Sequence, residues 1–323
     1  MTVEVVTLGE CLVSFVALEP GPLADISTFR AVAAGAEANV AVGVARLGHA
    51  SAFVGRVGTD PFGRMLVRAL RGEDVDVTHL RADDAPTGLM IRDRPALGPS
   101  HVEYRRSGSA GSRLAPVDVE GARETFAAAA WLHVSGVTAA ISGSAREAVG
   151  AAFDLAAAHG LRISLDLNLR RRLWTDAEAA AVLRPLAARA DVVLGSADEF
   201  AAVAGRDPAT SPDELVTAAL GLGAPTIVLK LGDAGAIEAS ADGPTVAALP
   251  PAVPSVADVV GAGDAFCAGW IVATLEGLTG IARLGLANAC GASSVGAIGD
   301  QAGLPTRADV DRLMTSPSGA VLR

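Results

Sequence analysis

Hydrophobic positions along this chain follow two alternating periods. Short runs rich in Val, Ile and Leu predict buried strands, and longer segments between them carry apolar residues at helical spacing. Val40, Val44 and Leu47, for example, share one face of a helix that Gly48 ends. The predicted strands of the main body are Val3–Thr7, Ser51–Val57, Trp131–Ser135, Ile163–Asp166, Val192–Gly195 and Thr226–Leu231.

Helical segments separate these strands. They are predicted at residues 35–48, from Asp60-Pro61 onward, and at 143–158, 176–189, 197–204, 212–222, 264–276, 279–298 and 306–315, with a hairpin-like stretch at 235–256. A helix that joins two successive parallel strands forms a right-handed βαβ unit. The pattern therefore predicts an α/β fold, a three-layer α/β/α sandwich with a mostly parallel central sheet, formed by one domain over residues 1–323.

Two stretches interrupt this alternation of strands and helices. Thr87–Asp93 and Val102–Arg106 are short predicted strands around Pro95–Pro99, and their polar alternation does not suit a buried central strand. Together with Leu12–Leu18 they predict a small β-sheet lid that stands off the main body, built from about residues 11–34 and 86–112. Exposed strand edges tend to pair, so the lid also predicts a homodimer.

Composition narrows the class of partner. The net charge of −10 argues against nucleic acid, whose phosphates need a basic surface, although local arginines can still bind a small anion. Cys11, Cys267 and Cys290 are widely spaced in apolar sequence and predict reduced core cysteines of a cytoplasmic protein. Residues 2–9 read as a strand, not as a signal peptide, and no apolar run reaches membrane-spanning length, so we expect no membrane association.

Polar residues and glycines follow four of the predicted strands or strand-like segments. Each group alone suits a strand-end turn or a helix cap. Ligands, however, collect at the carboxyl ends of parallel strands, and four such groups together predict a binding site. The groups are Asp166, Asn168 and Arg170; Ser196 and Glu199; Lys230, Gly232 and Gly235; and Gly261-Ala262-Gly263-Asp264.

The last of these groups, Gly261–Asp264, has the pattern of a loop that opens a helix. Its glycines let backbone N–H groups face a ligand at the positive end of the helix dipole, which suits an anion. A carboxylate there would repel phosphate unless it takes a proton from the group that attacks the phosphate. The alternative is a plain glycine turn with Asp264 as a helix-start residue.

A second constellation combines two arginines. Arg106 lies on a predicted lid strand before a Ser/Gly-rich segment, and Arg170 follows a buried strand. Guanidinium groups pair bidentately with carboxylates, so the two arginines are candidates for binding an acidic substrate, although arginines on a solvated strand are also common. The sequence has no Walker motif, no dinucleotide-binding glycine motif after the first strand, no Gly-x-Ser-x-Gly elbow and no metal-ligand spacing of His or Cys.

The sequence resembles the ribokinase-like sugar kinases. Two motifs carry the resemblance over essentially the whole chain, one from Gly35-Ala-Glu-Ala-Asn39 to Gly63 and the other Asp258-Val-Val-Gly-Ala-Gly-Asp264. Within the family it looks most like the 2-keto-3-deoxygluconate kinases. The features in common are Gly9-Glu10, Tyr104-x-Arg106, Asp166-x-Asn168-x-Arg170 and Asp300.

The resemblance implies roles for individual residues. Asp264 would be the base, with Gly261, Ala262 and Gly263 supplying N–H groups to the transferred phosphoryl group. Substrate would contact Gly35, Ala36, Asn39, Tyr104, Arg106, Arg170, Asp264 and Asp300, and ATP would contact Asn168, Arg170, Ser196, Lys230, Gly232, Gly235, Gly261, Gly263 and Asn288. Glu199 would organise Mg²⁺ indirectly, and Asp258 is a candidate ligand for a monovalent cation such as K⁺.

The chain departs from the family pattern at three positions. Met90 stands where relatives often have Tyr, Val259 replaces a frequent Thr, and Ser196 replaces an Asn. The resemblance implies ATP-dependent phosphorylation of the primary hydroxyl of a sugar acid, most closely 2-keto-3-deoxygluconate. The alternatives are a kinase for a neutral sugar such as fructose or ribose, a nucleoside kinase, and a non-catalytic sensor of sugar or nucleotide.

Overall fold

The strands form two separate sheets in a computed structural model that describes residues 2–95 and 100–315. The predicted turn at Pro95–Pro99 therefore lies mostly outside the described residues, as does the end of the predicted domain at 316–323. The strands are β1 Val5–Leu8, β2 Leu12–Ala17, β3 Phe29–Ala34, β4 Ser51–Gly58, β5 Leu80–Asp83, β6 Leu89–Arg92, β7 Val102–Arg105, β8 Trp131–Ser135, β9 Arg162–Asp166, β10 Val192–Ser196, β11 Thr226–Lys230, β12 Ala236–Ser240 and β13 Val246–Ala248.

The larger sheet has nine strands in the order β13-β12-β11-β10-β9-β8-β1-β4-β5. Its strands pair in parallel except for β12 and β13, which run antiparallel at one edge. Side chains alternate across this sheet: Val193 belongs to the hydrophobic core on one face, and Val192 and Leu194 belong to the core on the other. A sheet that is apolar on both faces has to be covered by helices on both sides.

Twelve α-helices occur among the described residues, and helices cover this sheet on both faces. They are α1 Ala36–Arg46, α2 Pro61–Gly72, α3 Pro116–Gly121, α4 Arg123–Ala128, α5 Gly136–Ile141, α6 Gly143–His159, α7 Asp176–Ala187, α8 Ala197–Ala204, α9 Pro212–Leu220, α10 Ala262–Leu275, α11 Gly280–Ser294 and α12 Arg307–Thr315. The predicted three-layer sandwich is thereby confirmed. In the described part of the chain, no helix combines the length and the apolar character needed to cross a bilayer.

The smaller sheet forms the predicted lid and has the order β3-β2-β6-β7. Strands β2 and β6 pair in parallel, and the two outer pairs are antiparallel. One face of this sheet is apolar and contributes Leu12, Ala34 and Met90, with Val102 and Tyr104 packed beside them. The lid turns this face, which also carries Arg92, towards the main body.

Some elements differ from the prediction. Strand β5 was not predicted because only Leu80 of Leu80–Asp83 is buried, a pattern that suits the sheet edge where the strand lies. Strand β3 is Ala-rich, and it is extended because it pairs along its length with β2. The short helices α3, α4 and α5 were also not predicted, and α10 begins at Ala262, two residues before the predicted start.

Small residues let α10 pack closely against its neighbours. A Cβ atom added at Gly43 of α1 would lie 2.6 Å from the Cβ of Ala268, and one added at Gly269 would lie 3.0 Å from the Cα of Ala287 in α11. Contacts this short are repulsive, so the glycines set the distance between the helices. The position of α10 matters because its first turn carries Asp264.

We predict that Gly269→Ala lowers the free energy of unfolding by about 1–3 kcal/mol, because the added methyl group overpacks the contact between α10 and α11. The matched control is Gly150→Ala in α6, where an added Cβ meets no atom within 4 Å. That control should raise the free energy of unfolding by about 0.5–1 kcal/mol, since Ala favours a helix over Gly. Chemical denaturation measures both; equal effects would contradict the packing argument.

Candidate active site

A cavity of about 460 Å³ lies between the lid and the carboxyl ends of the parallel strands. We call it the lid cavity. Its wall on the lid side is formed by Glu10, Leu12, Ala34, Met90, Arg92, Val102, Tyr104 and Arg106, and its wall on the sheet side includes Asp166, Asn168, Ser196 and Lys230.

A second cavity of about 570 Å³ adjoins the first. We call it the apolar cavity, because Pro250, Val253, Val256, Phe266 and similar residues line most of it. Lys230, Gly232, Val259 and Gly263 line both cavities, so the two meet at the end of β11 and the start of α10. The geometry suits two ligands whose reacting ends meet at that junction.

The turn that opens α10 needs glycine at position 261. Gly261 has φ +85°, a left-handed conformation that favours glycine, and a Cβ atom there would lie 2.5 Å from the carbonyl oxygen of Asp300. Helix α10 begins directly afterwards at Ala262. The N–H groups in the first turn of a helix have no acceptor within the helix, and they bear the positive end of its dipole. An anion is therefore favoured at Gly261–Gly263.

Asp264 lies on this first turn and faces the lid cavity, with only 8% of the residue exposed. Its Oδ2 accepts a hydrogen bond of 2.8 Å from Nδ2 of Asn39, and Asn39 accepts one in turn from Gln301. Burial raises the pKa of Asp264 to about 7; the bond from Asn39 counteracts the rise, and the charge of Asp166 adds to it. A carboxyl group with this pKa can accept a proton near neutral pH.

Lys230 forms the boundary between the two cavities. Its Nζ lies 2.7 Å from Oδ1 of Asp166, which ends β9. Burial lowers the pKa of Lys230, but the hydrogen bond to Asp166 and the negative charges around the amine, that of Asp166 foremost, together outweigh burial, so the net shift is upward and the amine stays charged. A fixed positive charge is thus present where the cavities meet.

Glu199 connects two loops at the strand ends. One of its carboxylate oxygens accepts a hydrogen bond from the N–H of Leu169, and the other accepts one from the N–H of Ser196. The first bond fixes the residue next to Asn168, whose φ is +33°, and the second caps α8. With both oxygens engaged by the backbone, Glu199 suits the indirect role in metal binding that the sequence predicted.

On the lid side, Arg106 is held by a buried carboxylate. Nε of Arg106 donates to Oε2 of Glu10 at 2.7 Å, and the hydroxyl of Ser109 donates to the other oxygen at 2.5 Å. Glu10 was not among the predicted site residues, although Gly9-Glu10 contributed to the resemblance. Its burial at 3% exposure reveals the role, since a buried acid requires a charged partner.

A second buried arginine, Arg92 of β6, was also missed. It donates two hydrogen bonds to the carboxylate of Asp258, and its Nη2 lies 3.7 Å from Oδ2 of Asp300. The available signal was its position on the strand, because the period of two places Arg92 on the same inward face as Met90.

The structure brings the predicted site residues together with one exception. Those that line the lid cavity are Gly35, Ala36, Asn39, Tyr104, Arg106, Asn168, Arg170, Ser196, Glu199, Lys230, Gly232, Gly261, Gly263, Asp264 and Asp300. Those that line the apolar cavity are Lys230, Gly232, Gly235, Ala262, Gly263 and Asn288. Asp258 lines neither cavity and pairs with Arg92 instead.

The residues of the two cavities fit a nucleotide. The apolar cavity has room and apolar walls for a purine ring, and Nδ2 of Asn288 donates to the carbonyl of Ala248 at its edge. At the junction, a side chain at Gly263 would come within 3.4 Å of the Lys230 amine, so glycine leaves that space open for phosphate. The described residues contain no group of three or more His, Cys, Asp or Glu side chains that could hold a metal ion.

In this α/β sandwich, the anion site at the start of α10 lies where the nucleotide-sized cavity and the polar lid cavity meet, and a proton-accepting carboxylate faces the lid cavity. These features define a phosphotransferase acting on an alcohol. A family model supports this class and makes it specific: residues 3–307 match the pfkB family carbohydrate kinases. The chain belongs to that family, and the resemblance to ribokinase-like sugar kinases is confirmed.

Named relatives align with most or almost all of this chain. A 2-dehydro-3-deoxygluconokinase from Thermoproteus tenax is 38% identical over 97% of this chain and 94% of its own. An enzyme of the same name from Bacillus subtilis (strain 168) is 36% identical over 95% of this chain and 94% of its own. A fructokinase from Klebsiella pneumoniae is also 36% identical, over 86% of this chain and 90% of its own.

Solved structures agree on the fold. A PfkB protein from Polaromonas sp. JS666 superposes with a TM-score of 0.84 at 36% identity, covering 96% of this chain and 99% of that one. A putative ribokinase II from E. coli, in complex with ATP and Mg²⁺, gives 0.88 at 25% identity over 97% and 99%. A fructokinase double mutant from Vibrio cholerae O395, bound to fructose, ADP and potassium ion, gives 0.81 at 28% identity over 97% and 98%.

The pKa of Asp264 predicts how activity depends on pH. A base works as the carboxylate, so kcat/KM should fall tenfold per pH unit below about 7, the value that burial produces, and level off above it. Asn39→Ala removes the hydrogen bond that lowers this pKa and should move the inflection to higher pH.

The control for that variant is Ser51→Ala, which removes a buried hydrogen bond to Ala41 of the same helix away from Asp264. Rate profiles between pH 5 and pH 9 measure all three proteins. An inflection that stays unchanged in Asn39→Ala would exclude Asp264 as its source.

Proposed function

We propose that the protein transfers the γ-phosphoryl group of ATP to the primary hydroxyl of a sugar acid, 2-keto-3-deoxygluconate, and forms 2-keto-3-deoxy-6-phosphogluconate. One observation carries the proposal: Asp264 shares a single cavity with Arg106 and Arg170. The substrate has a carboxylate at one end, which matches the two arginines, and a primary hydroxyl at the other, which matches Asp264. The two relatives named for this activity support the same substrate.

The sugar's hydroxyl group would lie beside Asp264, which accepts its proton as the oxygen attacks phosphorus. The transferred group would lie at Gly261–Gly263, where the N–H groups at the start of α10 stabilise its growing charge. Lys230, whose amine lies beside Gly263 and lines both cavities, would neutralise charge at the junction. Phosphoryl transfer needs positioning and charge stabilisation more than covalent chemistry, so these groups suffice as the protein's contribution.

ATP would place its base in the apolar cavity near Asn288 and its phosphates at Lys230, Gly232 and Gly263. Mg²⁺, when bound with the nucleotide, would supply positive charge that neutralises the phosphates. Because Glu199 bonds to two backbone N–H groups, its effect on the ion would pass through the loops it fixes, at Asn168 and Ser196.

The carboxylate of the substrate would be bound on the lid side. Glu10 fixes the Nε edge of Arg106, which leaves the guanidinium oriented in the wall of the lid cavity. Arg170 lines the same cavity and is exposed, so it can move towards a ligand. Two guanidinium groups favour an acid over a neutral sugar, because only the acid offers a carboxylate to accept charge-assisted hydrogen bonds from them.

A neutral sugar is the second candidate, since a fructokinase also aligns with most of this chain. We further propose that two copies associate through the lids, where β3 and β7 are free sheet edges within the described chain. The buried free thiols of Cys11, Cys267 and Cys290 support a reducing, cytoplasmic environment, where ATP is also available.

Asp264→Asn should lower kcat by about 10²–10⁴-fold, the usual contribution of a general base, while leaving the KM for the sugar acid nearly unchanged. The measurement is ADP release with 2-keto-3-deoxygluconate, fructose and ribose as acceptors. Wild-type protein should be most efficient with the sugar acid. Absence of ADP release with every acceptor would favour a sensor over a kinase, and an Asp264→Asn variant within threefold of wild type would remove this residue from the mechanism.

Arg106→Met should raise the KM for 2-keto-3-deoxygluconate by about tenfold or more, because a charge-assisted hydrogen bond to the carboxylate is lost. The KM for a neutral sugar should change less. Arg105→Met is the matched control: Arg105 lies next in sequence but pairs with Glu103 on the exposed side of β7. Equal effects of Arg106→Met on acidic and neutral sugars would contradict the carboxylate assignment.

A further inference from the structure

The carboxylate of Asp258 has no oxygen left for a metal ion. Its Oδ1 accepts hydrogen bonds from Nη1 of Arg92 at 2.9 Å and from the N–H of Val260 at 3.1 Å. Its Oδ2 accepts from Nη2 of Arg92 at 2.5 Å and from the N–H of Gly299 at 3.1 Å. A carboxylate offers about four lone-pair positions, and these four donors use them.

A monovalent cation therefore does not fit at Asp258. To bind there, K⁺ would have to displace a bidentate guanidinium that is almost fully buried, with 2% of its side chain exposed. It would also meet the positive charge of Arg92 at close range. The neighbouring residue is Val259, whose side chain has no oxygen to offer as a ligand.

Arg92 also connects parts of the site that are far apart in the chain. It ends β6 of the lid, whereas Asp258 lies three residues before Gly261 in the anion-binding turn. The backbone of Asp300 packs against Gly261, and its carboxylate lies 3.7 Å from Arg92. One guanidinium thus bridges the lid, the turn and the loop behind the turn.

We propose that Arg92 is a positioning residue that acts as a built-in cation, holding the anion-binding turn through Asp258 so that phosphoryl transfer needs no K⁺. The charges on the two partners support a permanent ion pair. The net shift of the Arg92 pKa is upward because the bonds and charges of its acidic partners outweigh burial, and the pKa of Asp258 is lowered because its hydrogen bonds outweigh burial. The inference rests on the proposed kinase function, since the turn matters only if it binds the transferred phosphoryl group.

The first test uses the wild-type protein and needs no substitution. ADP release from ATP and 2-keto-3-deoxygluconate is measured by chromatography, which avoids coupling enzymes that have their own cation requirement. The buffers contain either tetramethylammonium chloride or KCl at equal ionic strength. We expect kcat to agree within about twofold, because the charge at Asp258 is already compensated. A kcat that rises tenfold or more with KCl would overturn the proposal.

The second test removes the guanidinium. Arg92→Met, in the buffer without K⁺, should lose about 100-fold in kcat through a misplaced turn, with a smaller change in the KM of the sugar acid. Guanidinium chloride at millimolar concentration should restore part of this loss, which a purely structural defect would not allow. Arg94→Met is the control, because Arg94 bonds to the carbonyl of Leu18 at the outer part of the lid. Full kcat in Arg92→Met would overturn the proposal.

A third readout does not depend on activity. KCl should leave the Tm of the wild type equal to its value in tetramethylammonium chloride, and it should raise the Tm of Arg92→Met, in which the Asp258 carboxylate has lost its guanidinium partner. Should that variant fail to fold, Arg92→Gln removes the positive charge but keeps a hydrogen-bond donor, and it should gain the same K⁺ response. A K⁺-dependent Tm in the wild type would overturn the inference. Absence of ADP release with every sugar would instead count against the proposed function, and the Tm measurement would still decide the cation question.

Discussion

The placement of a buried carboxylate at the positive end of α10 is the interaction on which the rest of the structure depends. Burying Asp264 is unfavourable for its charged form, which raises its pKa to about 7, and the hydrogen bond from Asn39 partly compensates. The same burial keeps water away from the place where a phosphoryl group would be transferred. Helices α1 and α11 fix α10 through glycine contacts, so the base and the N–H groups keep one geometry relative to each other.

The charged residues of the site are paired across long distances in the chain. Lys230 with Asp166, Arg106 with Glu10, and Arg92 with Asp258 join residues 64, 96 and 166 positions apart. Such pairs are costly to bury and costlier to break, so each one holds two distant segments together. Two of the three pairs involve the lid, which explains how a small sheet can be positioned accurately above a cavity.

The fold itself was largely predictable. The alternation of periods predicted the strands of the parallel sheet within about two residues at each end, because buried strands and amphipathic helices carry strong local patterns. Strands β3 and β5 were not predicted because their residues have no local preference for an extended chain. They become strands only by pairing with β2 and β4. Glu10 and Arg92 were not predicted as site residues for a related reason: the local sequence around a charged side chain does not reveal which distant partner neutralises it.

By itself, the sequence determined the sandwich, the lid and the candidate chemistry of Gly261–Asp264, Arg106 and Arg170, because periodicity and glycine-rich turns are local properties of a chain. Only the tertiary structure decided that these groups share one cavity, that Asp264 titrates near neutral pH, and that Asp258 is paired with Arg92. Those properties depend on burial and on charges from segments far apart in sequence. Both are set when the chain packs, and no local pattern encodes them.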